Sequence, residues 1–130
     1  MKVARRKIKG PTEREVTILG ILWDRGPSTV REVNRAMNRD KNTGYTTTLK
    51  LMQIMAEKGL VKRDESQRTH VYQANVAEER MQNQLVGDLL DKAFSGSAEK
   101  LVMRALSAKK VSAKELTKIR KMLDELEGER

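Results

Sequence analysis

The chain has 130 residues, a net charge of +9, 38% apolar residues, 3% aromatic residues and no cysteine. That length suits one domain or a small domain with an appendage, its core must be aliphatic and rich in methionine, and disulfides, thiolate metal sites and cysteine catalysis are excluded. Lys2, Arg5, Arg6, Lys7 and Lys9 precede no apolar run and no stretch approaches membrane-spanning length, so a cytoplasmic chain without signal peptide or membrane insertion is expected.

Residues 1–10 read as a basic arm. A capping box, Thr12 with Glu15 three positions on, opens a first helix. Val16, Ile18, Leu19, Leu22 and Trp23 give it a helical apolar stripe, and Gly26 and Pro27 end it. Ser28 and Thr29 either form a stub of strand or cap the next helix. Val30, Val33 and Met37 mark that second helix, and Asn38 to Gly44 is a polar turn. A third helix runs from about Tyr45 to Lys58, with Gly59 positioned to terminate it. Leu60 to Arg63 is predicted as a strand, Asp64 to Arg68 as a turn, and Thr69 to Gln73 as the returning strand. In the latter, Val71 points one way and His70 and Tyr72 the other. This order predicts a winged helix-turn-helix over residues 11–75.

The pattern changes after Asn75. Ala77 to Phe94 reads as a long helix, Ala98 to about Leu106 as a short one, and Ser112 with Glu115 caps a last one. Their apolar positions are Met81, Leu85, Leu89, Phe94, Leu101, Leu106, Leu116, Ile119 and Leu123. Three helices with such narrow stripes cannot close a core alone, so residues 76–130 are expected to form a homodimer by packing on the same segment of a second chain. The fold class is therefore mainly α with a small β-hairpin wing: a DNA-binding domain followed by a helical dimerisation domain.

Charge divides along the same line. Residues 1–75 hold 16 Lys and Arg against 8 Asp and Glu, whereas residues 76–130 hold 11 against 10. That is the footprint of a polyanion-binding region joined to a nearly neutral one. On the third helix, Leu49, Met52 and Ala56, flanked by Thr48, Leu51 and Met55, face the core. Tyr45, Thr46, Thr47 and Lys50 cluster on the other side. Hydroxyls, threonine methyls and a lysine are groups that can read base edges or hold phosphate in a major groove. Arg31 and Arg35 on the second helix are candidate phosphate contacts, and Arg63 and Arg68 on the wing candidate backbone or minor-groove contacts; a solvated face explains the same residues. His70 reads as a strand surface residue, and Met37, Met52 and Met55 as core. No Ser-His-Asp set, paired-carboxylate cleft or phosphate-cradling glycine loop can be assembled, so no enzyme activity, cofactor or metal is expected.

Three stretches carry a resemblance: TEREVTILGILW from Thr12 to Trp23, YTTTLKLMQIMAEKGLV from Tyr45 to Val61, and the strand at Tyr72. They resemble the penicillinase and methicillin-resistance repressor family, which also contains copper-responsive repressors. A weaker likeness runs through FSGSAEKLVM, Phe94 to Met103, and the last helix, so the resemblance spans about residues 10–126. It implies a homodimeric repressor that binds a palindromic double-stranded DNA operator through the third helix, with the C-terminal helices making the dimer. In the resistance branch it implies derepression by a membrane metallopeptidase sensor that cuts the dimerisation segment. The matching bond here lies between Arg104 and Ala105, where better-known members have Asn-Phe. The copper branch uses C-terminal cysteines, and this chain has none. Many members carry Arg where this chain has Ile54. A winged-helix protein–protein adaptor is the competing reading; it has no need of the positive charge concentrated in residues 1–75.

Overall fold

The computed structural model describes residues 10–38 and 42–129. The basic arm, save Gly10, and positions 39–41 of the polar turn lie outside the described residues. The elements are α1 (Glu13–Arg25), β1 (Ser28–Thr29), α2 (Val30–Met37), α3 (Tyr45–Glu57), β2 (Val61–Asp64), β3 (Val71–Ala74), α4 (Glu78–Ala93), α5 (Ala98–Ala108) and α6 (Ala113–Gly128).

The local chemistry at each boundary explains where the helices start and stop. Glu15 N–H donates to Thr12 Oγ1 at 3.2 Å, and Thr12 N–H donates to Glu15 Oε1 at 2.9 Å, which closes the capping box of α1. At its far end Gly26 adopts φ +86°, a left-handed conformation that favours glycine, and its N–H closes on Leu22 O. Ser28 and Thr29 do both things the sequence allows. They pair with Tyr72 and Val71 of β3, and Thr29 forms a second reciprocal box with Glu32 at the start of α2. α3 ends in a Schellman arrangement: Gly59 takes φ +81°, and Leu60 N–H donates to Met55 O at 2.9 Å. Leu60's amide is thereby spent on the helix, so β2 begins at Val61, one residue later than the apolar pattern predicts.

The three strands form an antiparallel sheet in the order β1-β3-β2, with Val61 opposite Ala74 and Asp64 opposite Val71. Ile18, Leu19, Val33, Met52, Met55, Leu60 and Tyr72 are wholly or almost wholly buried between this sheet and α1–α3. Burying side chains of that size stabilises by about 1.5–3 kcal/mol each. Trp23 Nε1 donates to Val76 O at 3.0 Å and ties the end of α1 to the chain leaving β3.

The chain divides into two compact units, residues 1–85 and 86–130. The change of period after Asn75 marks a new helix, yet the first core continues into it. Met81 is fully buried in that core and Leu85 packs against it. Met81 is thus not the exposed dimer-seam residue its place in the stripe suggests; it is already covered within its own chain. In the second unit, Ser97 caps α5 and a reciprocal Ser112–Glu115 box caps α6. No residue of α5 or α6 is buried. Val86, Leu89, Val102, Met103, Met122, Leu123 and Leu126 are exposed, whereas Phe94, Leu101, Leu106, Leu116 and Ile119 are half-buried. Among the described residues no helix is long and apolar enough to cross a membrane.

Candidate nucleic-acid interface

α3 is held at its front, its underside and its back. At the front, Asn34 Nδ2 donates to Thr43 O at 2.9 Å and to Thr48 Oγ1 at 2.8 Å. Thr43 N–H in turn donates to Asn38 Oδ1 at 2.7 Å. These bonds pin the entry of α3 to α2, and they satisfy Thr48, which is fully buried. The underside rests on Met52 and Met55. At the back, Lys58 Nζ lies 2.8 and 3.1 Å from the two carboxylate oxygens of Glu15. Glu15 is only 2% exposed, so the same carboxylate that caps α1 anchors the end of α3. A buried carboxylate is tolerable because it is paired and hydrogen-bonded.

What this scaffold leaves outward is Tyr45, Thr46, Thr47 and Lys50, all exposed. Half-buried Ile54 lies one turn beyond Lys50 on the same side. Gly44 is the N-cap and provides no capping side chain, so the first-turn amides have no such acceptor. Helix-start amides of this kind suit an anionic oxygen.

The candidate cations separate into two groups. The Arg31 guanidinium sits 5.5 Å from the centroid of the Tyr45 ring. Arg31, Tyr45, Arg68 and His70 line one groove, with Thr29 and Tyr72. His70 is exposed there, beside cations, and no group of three His, Cys, Asp or Glu is placed to hold a metal among the described residues. Arg63, by contrast, is engaged internally. Its Nε and Nη2 both lie 2.8 Å from Glu65 Oε2, and the Tyr72 hydroxyl, then Glu65, hold its pKa above the usual value. Arg63 is thus a strand residue of β2 whose guanidinium is already paired with an acid. Asp64 accepts the Ser66 N–H at 2.9 Å, which keeps its carboxyl below the ordinary range.

On α2, Arg31 and Arg35 are both exposed. Glu32 between them is held first by the Thr29 backbone N–H and hydroxyl, with Arg25 and Arg35 adding to the effect, and its pKa is lowered. Its charge is directed to the cap and to those two arginines. In the second unit, Arg104 and Ala105 are exposed on α5, inside a regular helix, and Arg104 shares a shallow depression with Phe94, Lys100 and Met103.

Sequence reasoning placed Thr48 inside but missed why. Asn34, Asn38, Thr43 and Thr48 become one network only through the turn between α2 and α3. The i, i+4 spacing of Asn34 and Asn38 was the available signal.

Three helices, a three-stranded sheet with a hairpin wing, and a third helix pinned with a polar face outward define a winged helix-turn-helix protein. Residues 11–125 match the model of the penicillinase repressor family. The transcriptional regulator BlaI of Mycobacterium tuberculosis, in strains CDC 1551 / Oshkosh and ATCC 25618 / H37Rv, is 31% identical over 116 residues, covering 88% of this chain and 83% of that protein. The solution structure of the DNA-binding domain of the repressor BlaI aligns with a TM-score of 0.50 at 19% identity, over 57% of this chain and 90% of that one, and bears on the fold alone. The chain belongs to the penicillinase repressor family and is a winged-helix, DNA-binding transcriptional repressor.

Proposed function

We propose that the chain acts as a homodimer on a palindromic operator, each copy laying α3 in a major groove. The observation that carries this is the outward face of Tyr45, Thr46, Thr47 and Lys50 on a helix fastened at both ends. A reader must hold its side chains still to discriminate bases. Arg31, Arg35 and Arg68 supply backbone contacts, and phosphate neutralisation makes affinity fall steeply with salt. A fluorescence-anisotropy salt titration on duplex DNA tests the reading. Tight binding at low salt with a steep log–log slope is expected; flat, negligible binding at low salt contradicts it and favours the adaptor.

The partner in the dimer is a second copy of residues 86–130. Leu89 and Leu123 are exposed in the single chain, and α5 and α6 contain no fully buried residue, which supports a seam completed from outside. Release of DNA follows loss of the dimer, because one reader alone lacks the avidity of two. A cut between Arg104 and Ala105 by a membrane metallopeptidase sensor would sever α5 and detach α6. Because that bond lies within a hydrogen-bonded helix, cutting requires α5 to unwind locally. Intact-mass analysis of the chain from induced cells checks this: a fragment ending at Arg104 is expected, and only full-length protein under derepression contradicts it.

A further inference from the structure

The groove between the starts of α2 and α3 and the wing gathers Arg31 and Arg68, given backbone contacts above, and Tyr45, given to the reading face. It rests on the DNA-binding reading, and within it we propose that this groove seats one phosphodiester of the DNA backbone, with Tyr45 acting as a positioning residue for Arg31 through its ring rather than as a base reader through its hydroxyl.

Four observations carry this. The Arg31 guanidinium lies 5.5 Å from the Tyr45 ring centroid, close enough for cation–π attraction. A ring against one face of a guanidinium leaves the N–H donors in its plane free to fork onto two phosphate oxygens. Second, Arg68 and His70 line the same groove, and none of its lining residues is a carboxylate. Third, the nearby acids are occupied elsewhere. Glu32 is taken by Thr29, Arg25 and Arg35, Glu65 by Arg63, and Asp64 by the Ser66 amide. Asp64 and Arg63 line a different depression, with Lys62, Val71 and Gln73. Fourth, the groove has a volume of about 340 Å³, room for a phosphate with part of its sugar, and it shares Tyr45 with the outward face of α3. A backbone phosphate next to a base being read by Thr46 or Thr47 would fall there.

A long, exposed arginine ordinarily loses much rotamer freedom on binding. The Tyr45 ring restrains that freedom beforehand, so removing the ring should weaken binding, though less than removing the guanidinium and its charge does. The test is anisotropy titration over a range of salt, on a selected high-affinity duplex and on an unrelated duplex, with the full chain and its variants. Arg31→Ala is expected to lower the log–log salt slope by about 0.9, the change for one lost phosphate contact, equally on both duplexes, and Tyr45→Ala to weaken binding by a smaller factor on both, since the charge of Arg31 remains. The double variant should bind no more weakly than Arg31→Ala, the signature of coupled groups. Tyr45→Phe should keep wild-type affinity within about twofold, since the ring alone carries the cation–π contact. Because Tyr45 is 45% exposed, thermal melting should not move in any of them.

Three results overturn the proposal. Tyr45→Phe as weak as Tyr45→Ala would return the hydroxyl to base reading. Additive losses in the double variant would make the two residues independent. Inorganic phosphate, exchanged for chloride at constant ionic strength, that displaces DNA as readily from Arg31→Ala as from the wild type would place the anion contact away from Arg31. Wild-type protein without salt-dependent binding to either duplex is a separate outcome: it removes the DNA reading itself, whereas an unchanged slope in a binding-competent Arg31→Ala variant removes only the groove.

Discussion

The two units of this chain form their helices in the same way and bury their side chains differently. Reciprocal caps open α1 and α2 in the first unit and α6 in the second. Yet every residue of the buried apolar core lies between Ile18 and Met81, while α5 and α6 bury none. Helix formation is thus a local matter here, settled by caps and period, whereas a core needs surface that only the first unit supplies within one chain. The first unit closes around Tyr72 and the methionines and uses its outward side for recognition. The second keeps Leu89, Met122, Leu123 and Leu126 exposed, and we propose that another copy covers them.

The largest expected effect attacks the second unit without touching the first. Leu89→Glu combined with Leu123→Glu should give monomers by light scattering and weaken operator binding by about 10²-fold or more through lost avidity, with the melting of the first unit unchanged. A persisting dimer would place its interface elsewhere. Next, Lys58→Ala should destabilise the first unit by about 3 kcal/mol in a denaturant titration, because it leaves the buried Glu15 carboxylate without its cation. An effect near zero would mean water replaces Lys58 there. A smaller cost, about 1 kcal/mol, is expected for Thr48→Val, which keeps the shape and removes the acceptor for Asn34. Smallest is a pH effect. The lowered pKa of Glu32 in the folded chain adds stability that is complete above its ordinary value of 4.5 and fades as pH falls through the lower folded value. Glu32→Gln should therefore flatten the acid limb of a stability–pH profile and leave its shape at neutral pH alone; an unaltered acid limb would mean that its cap and ion-pair partners do not stabilise the charged form.

Much of this was legible in the sequence because it is local. The Thr12–Glu15 and Ser112–Glu115 boxes, the left-handed Gly59 and the alternation at Val71 and Tyr72 are each decided within a few residues. The side of α3 that faces outward was legible too, since period alone separates Lys50 from Met52. What was not legible depends on chain segments that meet only after folding. Lys58 finds Glu15 across 43 residues, and Trp23 finds Val76 across 53. The stripe of α4 looks continuous from Met81 to Leu89, and nothing in its period says that Met81 is covered by the first unit. Arg63 and Arg68 look alike in sequence. Their difference comes from Glu65 standing beside one of them and from the groove that receives the other.

The central claim is that the outward face of a fastened α3 reads DNA. Its most direct test is the affinity of the Thr47→Ala, Lys50→Ala variant for a selected duplex and for an unrelated one, alongside its circular dichroism. The account predicts an unchanged spectrum, a loss on the selected duplex of about tenfold or more, and a much smaller loss on the unrelated duplex. Equal affinity of variant and wild type for the selected duplex, with both folded, would contradict it.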